Sequence, residues 1–295
     1  MMKKTQIYAH RCGAGLFPEN SLPAVVNAID LGADVLDVDV VMTKDDVVVA
    51  YHDLFLNSDY TQLNGQWVTE QTPIRSLTFD ELAQYDIGQV NKASEYGQQF
   101  PEQQVIPNTP IVSLEEIIHH ANEYGTQKQR FQIEMKSDPR HPEWSASPED
   151  FAKAVLDVLT LEGMIEYTEV HSFDWRNLLA LQKLCPELTT SFISSMNEDK
   201  QLCDPEYKLD WFAGHNPADF DNSMPAMIQH LNGKIWCPDF QDVTVENVTE
   251  AHELELRVIP WTVDLKTDMA NMIKIEVDGI ITNRPDRLLE ITREN

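Results

Sequence analysis

The apolar residues of the first fifty positions form three short runs and one helical repeat. Ile7-Tyr8-Ala9 reads as a strand. Leu22, Val25, Val26 and Ile29 then recur at helical spacing, with Asn20 or Ser21 as N-cap, Pro23 in the first turn and Gly32 as the stop. Val35–Val41 reads as the next strand, so the segment is a βαβ unit with parallel pairing and a right-handed crossover. Only five residues separate Val41 from Val47, too few for a parallel crossover. The third run, Val47-Val48-Val49-Ala50-Tyr51, therefore predicts a hairpin back onto the second strand.

From Leu54 to about Pro110 the periodicity fades into Asn, Gln, Gly, Pro and Thr, with Phe55, Tyr60, Trp67, Phe79 and Tyr85 interspersed. A stretch of this length predicts an insertion, here one that forms part of the substrate pocket. Ser113-Leu114-Glu115-Glu116 is a capping box, opening a helix with Leu114, Ile117, Ile118 and Ala121 on its apolar face and Gly125 at its close. The strand Arg130–Lys136 follows, and after a Pro-containing loop Pro148 suits the first turn of another helix. Further strands are predicted at Glu169–Phe173, Thr189–Ile193, Lys234–Pro238, Arg257–Thr262 and Gly279–Thr282, with amphipathic helices between them. This alternation predicts one α/β domain over residues 1–295, a somewhat irregular TIM-type (β/α)8 barrel. Nine strand candidates are one too many for eight, which agrees with a hairpin extra.

A formal charge of −27 argues against nucleic acid and anionic membrane surfaces as partners. It leaves room for an anionic small molecule only where local cations or a metal invert the field. No run of eighteen apolar residues predicts a membrane span, and Met1-Met2-Lys3-Lys4-Thr5 leads into the first strand without a signal-peptide core. The four cysteines, Cys12, Cys185, Cys203 and Cys237, form no Cys-x-x-Cys pair. They predict reduced thiols in a cytoplasmic protein, and Cys12, beside Arg11, reads as a packing residue.

Candidate chemistry collects at the strand ends. Asp37 and Asp39 lie two apart on one strand and face the same way, as do Glu134 and Lys136. Carboxylates in apolar strands require a cation or cationic neighbours. Asp37, Asp39 and Glu134 are hard oxygen donors suited to Mg²⁺ or Ca²⁺. Arg11 offers a fork and Lys136 a point charge for phosphate oxygens, and His10 and His52 can exchange protons near neutral pH. Glu19 and Asn20 suit either a structural role at the His10 loop or substrate contact. Trp261, near a strand end, suits a wall of the substrate site or the core. The other seven histidines, His171 among them, read as structural.

His10-Arg11-x-Gly13, Pro18-Glu19-Asn20, Gly32-Ala33-Asp34, Asp37-x-Asp39-Val40, Thr43-Lys44-Asp45 and His52-Asp53 follow one another in order. Ile106-Pro107, Ile133-Glu134-Met135-Lys136, Ser172-Phe173-Asp174, Pro260-Trp261-Thr262-Val263 and Asp278-Gly279-Ile280-Ile281-Thr282 continue the series. In order, spacing and residue type this resembles the glycerophosphodiester phosphodiesterases over nearly the whole chain. The resemblance implies metal-dependent hydrolysis of a small-molecule glycerophosphodiester to sn-glycerol 3-phosphate and an alcohol. It makes His10 and His52 catalytic and Asp37, Asp39 and Glu134 the ligands of a divalent cation. That family usually has glutamate where this chain has Asp37, a carboxylate shorter by one C–C bond, ~1.5 Å. Two alternatives accompany this reading: a phosphodiesterase for lysophospholipids or other diesters, and a metal-impaired homologue that binds a phosphodiester without turnover.

Overall fold

The computed structural model describes residues 4–196 and 208–294; Cys203 lies outside them. The first unit forms as its sequence dictates. β1 (Gln6–Ala9) leads to α1 (Leu22–Leu31), whose N-cap is Ser21, its hydroxyl accepting from Ala24 N at 3.3 Å. Gly32 ends the helix in the left-handed region at φ 84°, and β2 (Val35–Met42) returns beside β1 in parallel. β3 (Val48–Ala50) pairs antiparallel with β2, Val40 opposite Ala50, so the short link does make a hairpin.

The insertion contains a two-residue ribbon, β4 (Gln62–Leu63) with β5 (Gln66–Trp67), and two short helices, α2 (Phe79–Leu82) and α3 (Glu95–Gln99). It has its own apolar cluster, in which Leu56, Tyr60, Ile74, Leu82 and Phe100 pack against Val41, Val49 and Tyr51 of the hairpin. Beyond it run α4 (Leu114–Tyr124), β6 (Phe131–Met135), α5 (Pro148–Leu161), β7 (Thr168–Ser172), α6 (Trp175–Leu184) and β8 (Thr189–Ser194). The final part holds α7 (Lys208–Trp211), α8 (Met224–His230), β9 (Ile235–Pro238), α9 (Val245–Glu253), β10 (Arg257–Val258), α10 (Lys266–Lys274), β11 (Gly279–Thr282) and α11 (Pro285–Glu294).

Eight parallel strands run in the order β10-β9-β8-β7-β6-β2-β1-β11, with β3 attached to β2 outside that path. The seam between β10 and β11 is bridged by backbone hydrogen bonds, Asp278 N to Val258 O (2.9 Å) and Ile281 N to Pro260 O (3.0 Å). The result is a nearly closed TIM-type barrel. β10 is shorter than the predicted Arg257–Thr262, although Ile259 N and Trp261 N carry the hydrogen bonding on to Trp236 O and Pro238 O, each at 3.0 Å. α11 had no counterpart among the predicted helices.

Alternation sorts the strand residues onto two faces. Ile7, Ala9, Val38, Val40, Ile133, Met135, Val170 and Phe192 point outward into the layer packed by the helices. Each of these side chains other than Ala9 stabilises the fold by roughly 1.5–3 kcal/mol on burial. Tyr8, Val35, Ile193, Ile235, Cys237, Ile259 and Ile281 point inward and fill the barrel. Register carries the polar residues along with them: Asp37 stands beside Gln132, Asp39 beside Glu134, and Glu134 beside His171. Near the N-terminal ends of the strands, Glu169 accepts from Tyr8 (2.9 Å), Arg130 (2.7 Å) and Arg257 (2.6 Å). Asp39, Glu134 and Lys136 lie toward the C-terminal ends, where barrel enzymes carry their sites.

Candidate active site

The turn after β1 carries the first site residues in a strained backbone. Arg11 (φ 50°) and Cys12 (φ 60°) are left-handed, and Gly13 (φ 95°) follows in a conformation that favours glycine. Non-glycine residues hold such angles at a cost of order 1–3 kcal/mol each, and only where the surroundings enforce them. Here the surroundings are ionic. Arg11 pairs with Glu19 Oε1 at 2.9 Å through Nη1 and with Asp39 Oδ2 at 3.2 Å through Nε. The Tyr96 hydroxyl, from α3 of the insertion, accepts from Arg11 and donates to Glu19. Asn20 closes the turn onto β2 from both sides, donating to Asp39 Oδ2 (3.0 Å) and accepting from Asp39 N (3.1 Å).

His10 stands at the mouth of the barrel with Nδ1 2.7 Å from Asn283 Oδ1. Asn283 in turn donates its amide nitrogen to Asp264 Oδ2 at 2.8 Å. Because a carboxylate accepts only, that bond fixes the amide orientation, so Asn283 Oδ1 accepts from Nδ1–H and His10 Nε2 keeps its lone pair. Burial, reinforced by the Arg11 guanidinium, pushes the His10 imidazole down to about 4. The ring is neutral at pH 7.

His52 arrives by the hairpin. Tyr51 N donates to Asp39 O at 3.1 Å, extending the β2–β3 pairing past the strand end and delivering His52 to the rim. His52 Nδ1 meets Asp53 Oδ1 at 2.7 Å, while Asp53 Oδ2 accepts from Asn57 (2.6 Å) and Tyr60 (2.8 Å). Burial alone would raise Asp53, but the His52 ring and these donors hold its carboxyl well below the usual range.

The remaining carboxylates are almost completely enclosed: Asp37 is 2%, Asp39 1% and Glu134 5% exposed. Lys136 Nζ sits 2.6 Å from Glu134 and 3.4 Å from Asp39. Against the burial that opposes it, Lys136, Arg11 and the two histidines hold Asp39 well below the usual carboxylate range. Asp37 accepts from His171 Nε2 at 3.0 Å; burial raises its pKa despite that partner. Cys12 and Cys237 are raised by burial and, with Cys185, are free and buried.

Two cavities meet here. A small one, ≈ 90 Å³, is lined by His10, Arg11, Asp37, Glu134, Lys136 and His52 on one side and by Trp261, Thr262, Ile193 and Ile281 on the other. A larger one, ≈ 900 Å³, opens from the same mouth and is walled partly by Leu54–Asp59 and Thr69–Gln71. His52, Glu134, Lys136, Phe173 and Trp261 line both. Glu19 lines neither; it is 3% exposed and its carboxylate is engaged by Arg11 and Tyr96, an arrangement that holds Arg11 rather than meeting a substrate. Sequence reasoning missed Asn283, Asp264, Tyr96 and the Asp37–His171 contact. The position of Asn283, directly after the last barrel strand, was the one available signal.

Three carboxylates from two neighbouring strands, all facing the barrel interior, have the donor chemistry for a hard divalent cation. Among the described residues, however, no three His, Cys, Asp or Glu groups stand preformed at metal-holding spacing. The ammonium of Lys136 bridges Asp39 and Glu134 instead.

A barrel with this strand-end constellation defines a class of phosphodiester-handling enzymes, and comparison with known proteins agrees. Residues 10–287 match the family model described as glycerophosphoryl diester phosphodiesterase family, and the chain belongs to that family of hydrolases. A glycerophosphodiester phosphodiesterase of Bacillus altitudinis is 28% identical over 293 residues, covering 98% of this chain and 99% of its own. A solved structure from Silicibacter pomeroyi under the same family name superposes with a TM-score of 0.88 at 31% identity, covering 99% of this chain and 94% of the other. A phosphodiesterase of Oleispira antarctica, solved with the product sn-glycerol-3-phosphate, shares the fold at a TM-score of 0.70 and 19% identity, with 99% and 98% coverage. Among the described residues no helix is long and apolar enough to cross a membrane.

Proposed function

We propose that this chain hydrolyses glycerophosphodiesters to sn-glycerol 3-phosphate and an alcohol by general acid–base catalysis with His10 and His52. The observation that carries the reading is the junction of the two cavities, where His52, Lys136 and Glu134 line both and His10 and Arg11 line the smaller. The phosphate occupies that junction, where the Arg11 fork and the Lys136 ammonium offset its charge within a strongly acidic chain. The glycerol end enters the small cavity beside Trp261, which has room for about three waters. The Oleispira antarctica phosphodiesterase of the same fold, solved with the product sn-glycerol-3-phosphate, supports glycerol 3-phosphate as the product.

His10 is the base. Asn283 occupies its Nδ1, its ring is neutral, and Nε2 takes the proton of the nucleophile, which is water or a neighbouring glycerol hydroxyl; in the second case water then opens the cyclic phosphodiester to sn-glycerol 3-phosphate. His52, oriented through Nδ1 by Asp53, gives the proton to the departing alkoxide. Asp37, Asp39 and Glu134 would hold a Mg²⁺ or Ca²⁺ ion. Bound there, the ion would neutralise charge on the non-bridging phosphate oxygens. The whole chain acts as a single catalytic barrel domain, and the insertion at about 54–110 forms one wall of the substrate pocket.

The test is direct. Purified protein supplied with glycerophosphocholine and Mg²⁺ or Ca²⁺ releases glycerol 3-phosphate, and a chelator stops the release. Absence of turnover on every glycerophosphodiester tried, with either ion, would sink the reading.

A further inference from the structure

We propose that His171 donates an imidazole nitrogen to the divalent-ion site, making it a mixed nitrogen–oxygen site that favours an ion such as Co²⁺ or Zn²⁺ over Mg²⁺ or Ca²⁺. This rests on the phosphodiesterase reading, in which Asp37, Asp39 and Glu134 hold that ion. The three carboxylates are not equally placed for it. Asp37 and Glu134 line the small cavity, and so does His171, whereas Asp39 does not. Asp39 Oδ2 is engaged by Arg11 (3.2 Å) and Asn20 (3.0 Å), and its Oδ1 faces Lys136 at 3.4 Å. The two carboxylates that reach the cavity share one neighbour, the His171 ring.

Strand alternation puts that ring there. Val170 packs outward, so His171 points into the barrel, beside Glu134 in the register of β6 and β7. Its Nε2 stands 3.0 Å from Asp37 Oδ1. Adjacent ligands of a six-coordinate ion with bonds of about 2.0–2.2 Å stand about that far apart, so the pair already has the spacing of one edge of a coordination shell. With Nε2 on an ion the neutral ring carries its proton on Nδ1, which faces Cys237 Sγ at 4.0 Å. Gln132 points the same way. It stands beside Asp37 in register, is directed inward and is completely buried, and neither its amide oxygen nor its amide nitrogen has a hydrogen-bond partner among the described residues. Unpaired buried amides are costly, and a water carried by an ion at Asp37 would supply the partner. The nitrogen decides the ion: Mg²⁺ and Ca²⁺ take oxygen donors, whereas Co²⁺ and Zn²⁺ gain from a neutral imidazole.

Two measurements decide it, neither of them turnover. In calorimetric titrations His171→Gln, which keeps a donor for Asp37 but removes the imidazole, should weaken Co²⁺ binding by about tenfold or more and Mg²⁺ binding by less than about threefold. Equal losses for the two ions, or no loss for Co²⁺, overturn the proposal. The second measurement needs no variant at His171 to fold. X-ray absorption by the unaltered protein loaded with Co²⁺ should show the outer-shell scattering of a metal-bound imidazole, and the signal should persist when His10 and His52 are both replaced by Gln. Absence of the signal, or its loss on replacing His10 and His52, overturns the proposal. An imidazole signal that survives that replacement, in a protein that turns over no diester in its unaltered form, upholds the ion site and discards the catalytic reading.

Discussion

Asp37 Oδ1 and His171 Nε2 lie 3.0 Å apart inside the barrel, the carboxylate on β2 and the imidazole two strands away on β7. Both are about 2% exposed, and the other ring nitrogen of His171 faces Cys237 Sγ at 4.0 Å. The pair makes Asp37 a carboxylate with a fixed partner across the neighbouring strand β6. Replacing His171 by Leu leaves a buried carboxylate without its partner and should cost about 3–5 kcal/mol in urea denaturation. Asp37→Asn, which keeps an acceptor for Nε2, should cost less. Equal losses for the two variants would mean that shape, not the charged contact, sets the stability.

Asp37→Glu tests the shorter carboxylate directly. If the chain is a working enzyme, the substitution changes kcat/KM by less than about tenfold, because Asp already supplies the charge and the oxygens. A large gain from near-zero activity would identify the metal-impaired homologue instead.

His10 depends on Asn283, a residue 273 positions away in the chain. Asn283→Leu frees its tautomer and should lower kcat by about 10²–10⁴, the usual worth of a general base, with the circular dichroism spectrum unchanged. His10→Gln should fall in the same range, and the double variant little further, because both remove one function.

Stability should follow the same ring. The folded His10 value is depressed to about 4 from the ordinary 6.5, so the unfolded chain takes up its proton first as pH falls. The stability tied to neutral His10 is present above about 6.5 and lost progressively down to about 4. Between those values, urea midpoints of His10→Gln should decline less steeply with falling pH than those of the unaltered protein. Parallel declines would count against the assignment.

Lys136→Ala separates the two tasks of that lysine. Without the ammonium between them, Asp39 and Glu134 repel each other, so the metal-free variant should melt lower. Ca²⁺ or Mg²⁺ should then raise its Tm by more than it raises that of the unaltered protein. Turnover should still fall, since a phosphate contact is gone.

One hydroxyl of the insertion, that of Tyr96, touches the Arg11–Glu19 pair. Tyr96→Phe removes its bonds to Arg11 and Glu19, two charged groups, and should cost about 1.5–3 kcal/mol of stability together with a rise in KM. An unchanged KM would make the contact purely structural.

Much of this site could be read from local pattern. Asp37, Asp39, Glu134 and Lys136 stood out because charge at a two-residue period in an apolar strand has few explanations, and the five-residue link dictated the β2–β3 hairpin. What escaped was nonlocal or unpatterned. His171 read as a structural residue, and only register set it beside Glu134 and within reach of Asp37. Asn283 and Asp264 acquire meaning only when β11 closes against β1. Tyr96 was hidden in a segment with no period, and Glu19 kept two roles open until its carboxylate was found on Arg11.

The hairpin strand β3 belongs to the sheet without belonging to the ring of eight. Everything hung from it, from His52 through the insertion, is therefore suspended from the barrel's rim as an appendage whose length does not alter strand number or tilt. Evolution can lengthen, shorten or redecorate the outer part of that appendage, beyond the Tyr96 contact with Arg11, while the ring of eight strands stays untouched.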